Sequence, residues 1–192
     1  MQYSSYALQM FFPMESARDL RHTLHAMIAR APVNAGFQEK WGFYRQVSAT
    51  LAARAGQIVY GVWDYVEESA RAQAEYDQWC KGTEDDVEDA EEAAKQVPVY
   101  RQSGGPRFLF VTFLFLMRRG GASDRYICEV CRIPEDFWWT RNTFARMLQS
   151  IGGLNFESIR ADAVYLRPGH DDGGVTQQEL AEPRYRYLKM LR

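Results

Sequence analysis

The apolar run at residues 108–117 is the feature that most limits how this chain can fold. From Phe108 to Met117, only Thr112 interrupts a series of aromatic and aliphatic side chains. Side chains of a β-strand alternate between two faces, so a strand with this sequence is apolar on both of them. We therefore expect a strand inside a sheet that is covered on both sides. The run is far short of the roughly 20 residues that a membrane-spanning helix needs.

Length and composition indicate an ordinary globular protein. The 192 residues are enough to bury a sizeable core, and 14% of them are aromatic, which favours a bulky core or an aromatic contact surface. A net charge of −2 gives no reason to expect a nucleic-acid partner. Three cysteines and an N-terminus without a basic, apolar leader indicate a soluble protein of the cytoplasm or another reducing compartment.

Hydrophobic periodicity divides most of the chain into strands and helices. One helix carries a long apolar stripe, with Phe37 and Trp41 at its start and Tyr44, Val47 and Leu51 behind them. Gly82 is expected to separate two other helices. The predicted strands are 3–12, 57–66, 107–117, 124–133 and 159–166, and the predicted helices are 15–31, 37–56, 67–81, 84–96, 140–151 and a short one capped by Thr176.

These elements predict an α+β fold with one mixed β-sheet of about five strands packed with helices, in a single domain of residues 1–192. The halves 1–97 and 106–192 each form a strand–helix–strand unit, and a Pro- and Gly-rich linker joins them near residue 100. A helix between two strands packs most easily on the sheet that those strands form. One sheet is therefore the economical solution, and two separate sheets are the alternative.

Several segments in this order resemble an uncharacterised domain family of cyanobacterial and plastid proteins, which includes the fluctuating-light acclimation protein of plants. They are Ser16–Leu20, the strand Phe108–Met117, the helix near 140–151, Ala163–Pro168 and Val175–Leu180. The resemblance implies a role beside photosynthetic or other membranes and a place in the plastid stroma. Peripheral association with a membrane stays open, but the apolar, Gly-rich segment that anchors family members is not seen in residues 1–192. No site residue is carried over.

The sequence Cys128-Glu129-Val130-Cys131 has the Cys-x-x-Cys spacing of redox and zinc sites. The motif falls inside the predicted strand 124–133, where residues three apart point to opposite faces of a sheet. We therefore expect Cys128 and Cys131 to be small buried hydrophobic residues, with a thiol-based redox role as the alternative. No cofactor, metal site or catalytic residue is expected.

Other polar groups are expected to be solvated surface. His22 and His25 lie three apart on the first helix but beside arginines, and His170 begins a polar turn. The acidic run 84–92 and the basic residues from Arg184 onward could contact each other, within one molecule or between molecules, or each could bind its own partner.

Phe137, Trp138 and Trp139 are the candidate contact residues. Adjacent side chains of a regular element do not both face one core, which favours exposure of at least one tryptophan. In a loop both can instead be buried in the core, and the sequence does not decide between the two. Tryptophan is enriched at protein interfaces. The leading hypothesis is a non-catalytic interaction, assembly or regulatory module that binds a protein partner or itself, and the family resemblance would place that partner in a membrane-associated complex.

Overall fold

The computed structural model describes residues 2–32, 35–96, 105–168 and 174–192, with the side chains of 83–96 excepted. The side chains of the acidic run 84–92, residues 97–104 of the predicted linker and His170 thus lie outside what is described. Strands are β1 Tyr3–Pro13, β2 Tyr60–Val66, β3 Arg107–Arg118, β4 Ile159–Arg167, β5 Val175–Thr176 and β6 Lys189–Met190. Helices are α1 Met14–Ile28, α2 Phe37–Ala52, α3 Ser69–Gln96, α4 Ala122–Cys131, α5 Arg141–Ile151 and α6 Gln177–Leu180.

The strands form one sheet in the order β4-β3-β1-β2-β6, and β5 pairs with the start of β3. Each of these pairings is antiparallel. As predicted, β3 lies inside the sheet and is buried on both faces. The α+β class is confirmed, and so are four of the five predicted strands.

Helices α1, α2, α4 and α5 cover one face of the sheet. Tyr6, Leu8, Met10 and Phe12 of β1 share a buried cluster with apolar side chains from these helices, among them Leu24. Helix α3 packs along β1 on the opposite face, where the C-terminal segment also lies. The sheet is therefore the middle of three layers, which is why β1 and β3 need apolar residues on both sides.

Thr112, the polar residue within the apolar run, is satisfied by hydrogen bonds on the α3 face. It lies directly opposite Gln9 of β1, whose Nε2 donates to the Thr112 hydroxyl oxygen at 2.9 Å. The Tyr187 hydroxyl donates to Gln9 Oε1 at 2.8 Å. Because both ends of the Gln9 amide are bonded, burial of these polar groups does not leave them without partners.

The two halves share an order of elements, which is a strand, two helices, a turn of 3-10 helix and a second strand. The second half adds the 3-10 turn Glu135–Phe137 between its helices. Residues 5–11 of β1 pair with 60–66 of β2 in seven pairs, and residues 110–116 of β3 pair with 161–167 of β4 in the same register, with one further pair, Met117 and Ile159, after a register shift. The central β1–β3 pairing joins the halves. This arrangement confirms the prediction of two strand–helix–strand units, although each unit contains two helices.

Two predictions of secondary structure are wrong. Residues 122–131 form helix α4, not the predicted strand 124–133, because Asp124, Ile127 and Val130 recur at helical spacing and are buried on one side. Gly82 does not break α3, which is continuous from Ser69 to Gln96. A glycine inside a helix costs about 1 kcal/mol relative to alanine, and a helix of this length tolerates that cost.

Candidate functional site

The loop between α4 and α5 packs on Trp63 of β2. Trp63 lies opposite Leu8 in the sheet and faces the layer of four helices. Its ring centroid is 5.9 Å from that of Trp138 and 6.3 Å from that of Trp139, and these two rings are 6.3 Å apart. The two tryptophans that the sequence singled out therefore form a cluster with a third one, and both are half-buried.

Hydrogen bonds fix the tryptophan cluster. The Trp138 indole N–H donates to the carbonyl oxygen of Ile133 at 2.6 Å, and the Trp63 indole N–H donates to the carbonyl oxygen of Trp138 at 3.3 Å. The Trp139 carbonyl oxygen accepts from the backbone N–H of Arg192 at 3.0 Å. These hydrogen bonds hold the loop between α4 and α5 in place. Trp138 and Trp139 therefore lie beneath the exposed surface of this loop.

Phe137 is the exposed residue of the predicted contact triplet, with 57% of its surface accessible. Its N–H donates to the Pro134 carbonyl at 2.9 Å, and its own carbonyl oxygen accepts from the hydroxyls of Thr143 at 2.7 Å and Thr140 at 3.1 Å. Thr140 also caps α5 by accepting from the N–H of Thr143. The backbone that carries Phe137 is thus held on both sides.

Two acidic residues precede Phe137 in the same turn of 3-10 helix. Glu135 and Asp136 are exposed, and among the described residues neither carboxylate has an ion-pair partner. Arg192 donates to the backbone oxygen of Asp136, not to its carboxylate, at 2.8 Å. We call Glu135, Asp136 and Phe137 the Phe137 knob.

A second exposed aromatic surface lies at the other end of α5, and the sequence analysis did not find it. Phe37 is 54% exposed and Trp41 is 38% exposed, although the apolar stripe of α2 placed both with the buried Tyr44 and Val47. The stripe is not buried along its whole length because α5, which covers α2, ends at Ile151. Only the later turns of α2 are covered.

Trp41 and Tyr126 meet the turn that follows α5. The Trp41 indole N–H donates to the carbonyl oxygen of Gly152 at 2.9 Å, and the guanidinium of Arg45 stacks 5.0 Å from the centre of the Trp41 ring. Tyr126, 40% exposed, occupies the space that a side chain on Gly153 would fill. We call Phe37, Trp41, Arg45 and Tyr126 the Trp41 patch.

Cys128 and Cys131 lie three residues apart on helix α4, so they share one side of it, and the expectation that a sheet separates them is wrong. Both thiols are free and half-buried. Burial raises the pKa of the Cys131 thiol to about 12; Cys128 and Asp64 act in the same direction, and Arg146 opposes them. Cys131 is therefore protonated at neutral pH, which makes it a poor nucleophile.

A small pocket lies between α3 and the sheet, beside Asp64, Glu75 and Trp79. Its volume of about 10 Å³ holds a single water molecule. Burial raises the pKa of Asp64, and the neighbouring Glu75 raises it further, whereas Arg71 lowers it. Within the described part of the chain, no group of three or more His, Cys, Asp or Glu side chains is placed to hold a metal ion.

No protein-family model, curated protein sequence or solved structure matches this chain. The resemblance to the cyanobacterial and plastid domain family thus stays a prediction. In the described ranges, none of the helices combines the length and apolar character needed to cross a bilayer.

Proposed function

We propose that this chain is a non-catalytic interaction module that binds a protein partner through the Phe137 knob. The observation that carries the proposal is that the ring of Phe137 is mostly exposed while its backbone is held by three hydrogen bonds. An apolar side chain of this size gains about 1.5–3 kcal/mol when a partner buries it.

The fixed backbone matters because binding normally loses free energy when a flexible contact residue is ordered. Here the ordering has already happened during folding, since the tryptophan cluster and Thr140 hold the turn. Side chains presented in this way are typical anchors of interfaces. The carboxylates of Glu135 and Asp136 favour a partner surface with an apolar pocket and a basic rim.

Co-purification with the immobilised chain from an extract of its native cells tests the proposal. We expect a protein that wild type captures and Phe137→Ser does not. Met190→Ser is the matched control, because Met190 is 68% exposed but pairs with Tyr60 and so lies on the α3 side of the sheet.

The captured protein must then bind directly when purified. Isothermal titration should show at least about tenfold weaker binding for Phe137→Ser than for wild type or Met190→Ser. Equal affinity of all three proteins for every captured partner would remove the proposal.

A thiol-based redox role for Cys128 and Cys131 is the second candidate. The observation in its favour is that α4 brings both thiols to one side of a helix. The raised pKa of Cys131 weighs against it, because thiol exchange starts from a thiolate.

A further inference from the structure

The Phe137 knob and the Trp41 patch lie at opposite ends of α5. The knob precedes the cap residue Thr140, and the patch contacts the Gly152–Gly153 turn that follows Ile151. A helix of 11 residues is about 16 Å long. The two surfaces therefore cannot touch each other within one molecule.

The two surfaces have complementary chemistry. Both are aromatic, and the knob adds Glu135 and Asp136 whereas the patch adds Arg45. Among the described residues, the Arg45 guanidinium has no carboxylate partner. Lys40, next to Trp41 in the chain, already pairs with Asp162 at 2.6 Å, and Glu129 and Arg132 of α4 pair with each other at 2.8 Å.

We propose that the partner is a second copy of this chain, with the Phe137 knob of one copy docked on the Trp41 patch of the next. The inference rests on the proposed function of the knob. Phe137 packs among Phe37, Trp41 and Tyr126, and the two knob carboxylates pair with Arg45. A second copy fits best because each surface supplies the charge that the other leaves without a partner.

Such a contact is heterologous, since it joins two different surfaces. Each docked copy keeps one free knob or one free patch, so assembly continues past the dimer into a ring or an open chain. The size of the assembly should therefore rise with protein concentration. It should fall when added salt screens the Arg45 contact.

Sedimentation of purified full-length chains tests the inference with two complementary variants. Phe137→Ser removes the knob and keeps the patch, whereas Arg45→Glu disables the patch and keeps the knob. We expect wild type and Met190→Ser to grow in mass with concentration, and each variant alone to stay monomeric with association weakened about tenfold or more. An equal mixture of the two variants should form a dimer and nothing larger, because only one productive junction remains.

Circular dichroism of each variant confirms that it is folded before its mass is interpreted. A wild-type chain that stays monomeric at every concentration overturns the inference, and so does a mixture that stays monomeric while wild type assembles. If the chain is monomeric but still captures another protein through Phe137, self-docking fails and the proposed function stands. If capture is also independent of Phe137, both fail.

Discussion

Lys40 Nζ lies 2.6 Å from Asp162 Oδ1, and the equivalent contact, with the two halves exchanged, is the ring of Phe144 packed on Gly61. Lys40 and Phe144 are each the fourth residue of the second helix in their half. Asp162 pairs with Phe115 in the sheet, and Gly61 pairs with Met10. The second helix of each half thus contacts the second strand of the other half, through an ion pair in one case and through an aromatic ring on a glycine in the other.

Gly61→Ala should destabilise the protein by about 1–3 kcal/mol, because a Cβ at this position would overlap the Phe144 ring and lie 3.1 Å from the Gln9 carbonyl oxygen. Denaturant unfolding measures the change. Gly42→Ala is the matched control at an exposed position of helix α2, where a Cβ meets no atom within 4 Å, and it should stabilise by up to about 1 kcal/mol. Equal stability of the two variants would contradict this account of the close contact.

Lys40→Met should destabilise by about 1 kcal/mol, a value reduced by the partial exposure of the lysine. The substitution leaves the largely buried Asp162 carboxylate with the Tyr44 hydroxyl, 3.0 Å from Oδ2, as its remaining partner. A double-mutant cycle with Asp162→Asn measures the coupling. The exposed Arg71–Glu75 pair at 3.3 Å is the comparison, with an expected coupling of roughly 0.3–0.5 kcal/mol. A weaker coupling for Lys40–Asp162 than for that surface pair would count against its role in joining helix to strand.

The same contrast explains which parts of the fold the sequence could predict. Strand β1 and helix α5 follow from local periodicity, and β3 follows from its continuous apolar run, which a strand buried on both faces requires. The order of the predicted elements shows the two halves, but no residue-by-residue similarity accompanies it, because equivalent positions hold chemically unrelated pairs such as Lys40–Asp162 and Phe144–Gly61. Only the geometry is shared.

The candidate site shows the same limit. Phe137, Trp138 and Trp139 could be selected from the sequence because three adjacent aromatic residues are unusual in a loop. Their division into one exposed ring and two supporting ones depends on Trp63, which is distant in the sequence and meets them only after the sheet has formed. The Trp41 patch was missed because a helical stripe does not tell where the covering helix ends.

Cys131 should react with iodoacetamide far more slowly in the folded protein than in denaturant at neutral to mildly alkaline pH. Burial holds its pKa near 12, above its ordinary value, so the reactive thiolate is a minor species. Mass spectrometry of the labelled peptides follows each cysteine, and Cys128→Ser isolates Cys131 within the motif. Fast native labelling of Cys131 would instead favour the redox role.

The raised pKa of Cys131 also sets the sign of a pH effect. The thiol keeps its proton more tightly in the folded state, so its contribution to stability is complete below the unfolded pKa. That contribution is lost as the pH rises from the ordinary thiol range through about 12. Cys131→Ala should flatten the loss of stability in this window, measured by denaturant unfolding at a series of alkaline pH values. An unchanged slope would show that the thiol does not titrate differently in the two states.

Trp63→Ala should cost about 2 kcal/mol or more in stability, because it removes the ring on which Trp138 and Trp139 pack and leaves a cavity under the loop. Phe137→Ala, by contrast, should change stability by less than about 0.5 kcal/mol, since its ring is mostly exposed. Hydrogen exchange of residues 135–140 measures the second consequence: Trp63→Ala should accelerate exchange of the Phe137 and Trp138 amides, and Phe137→Ala should leave the Trp138 amide protected. Comparable losses of stability in both variants would mean that the Phe137 ring is packed in the core and is not an exposed contact residue.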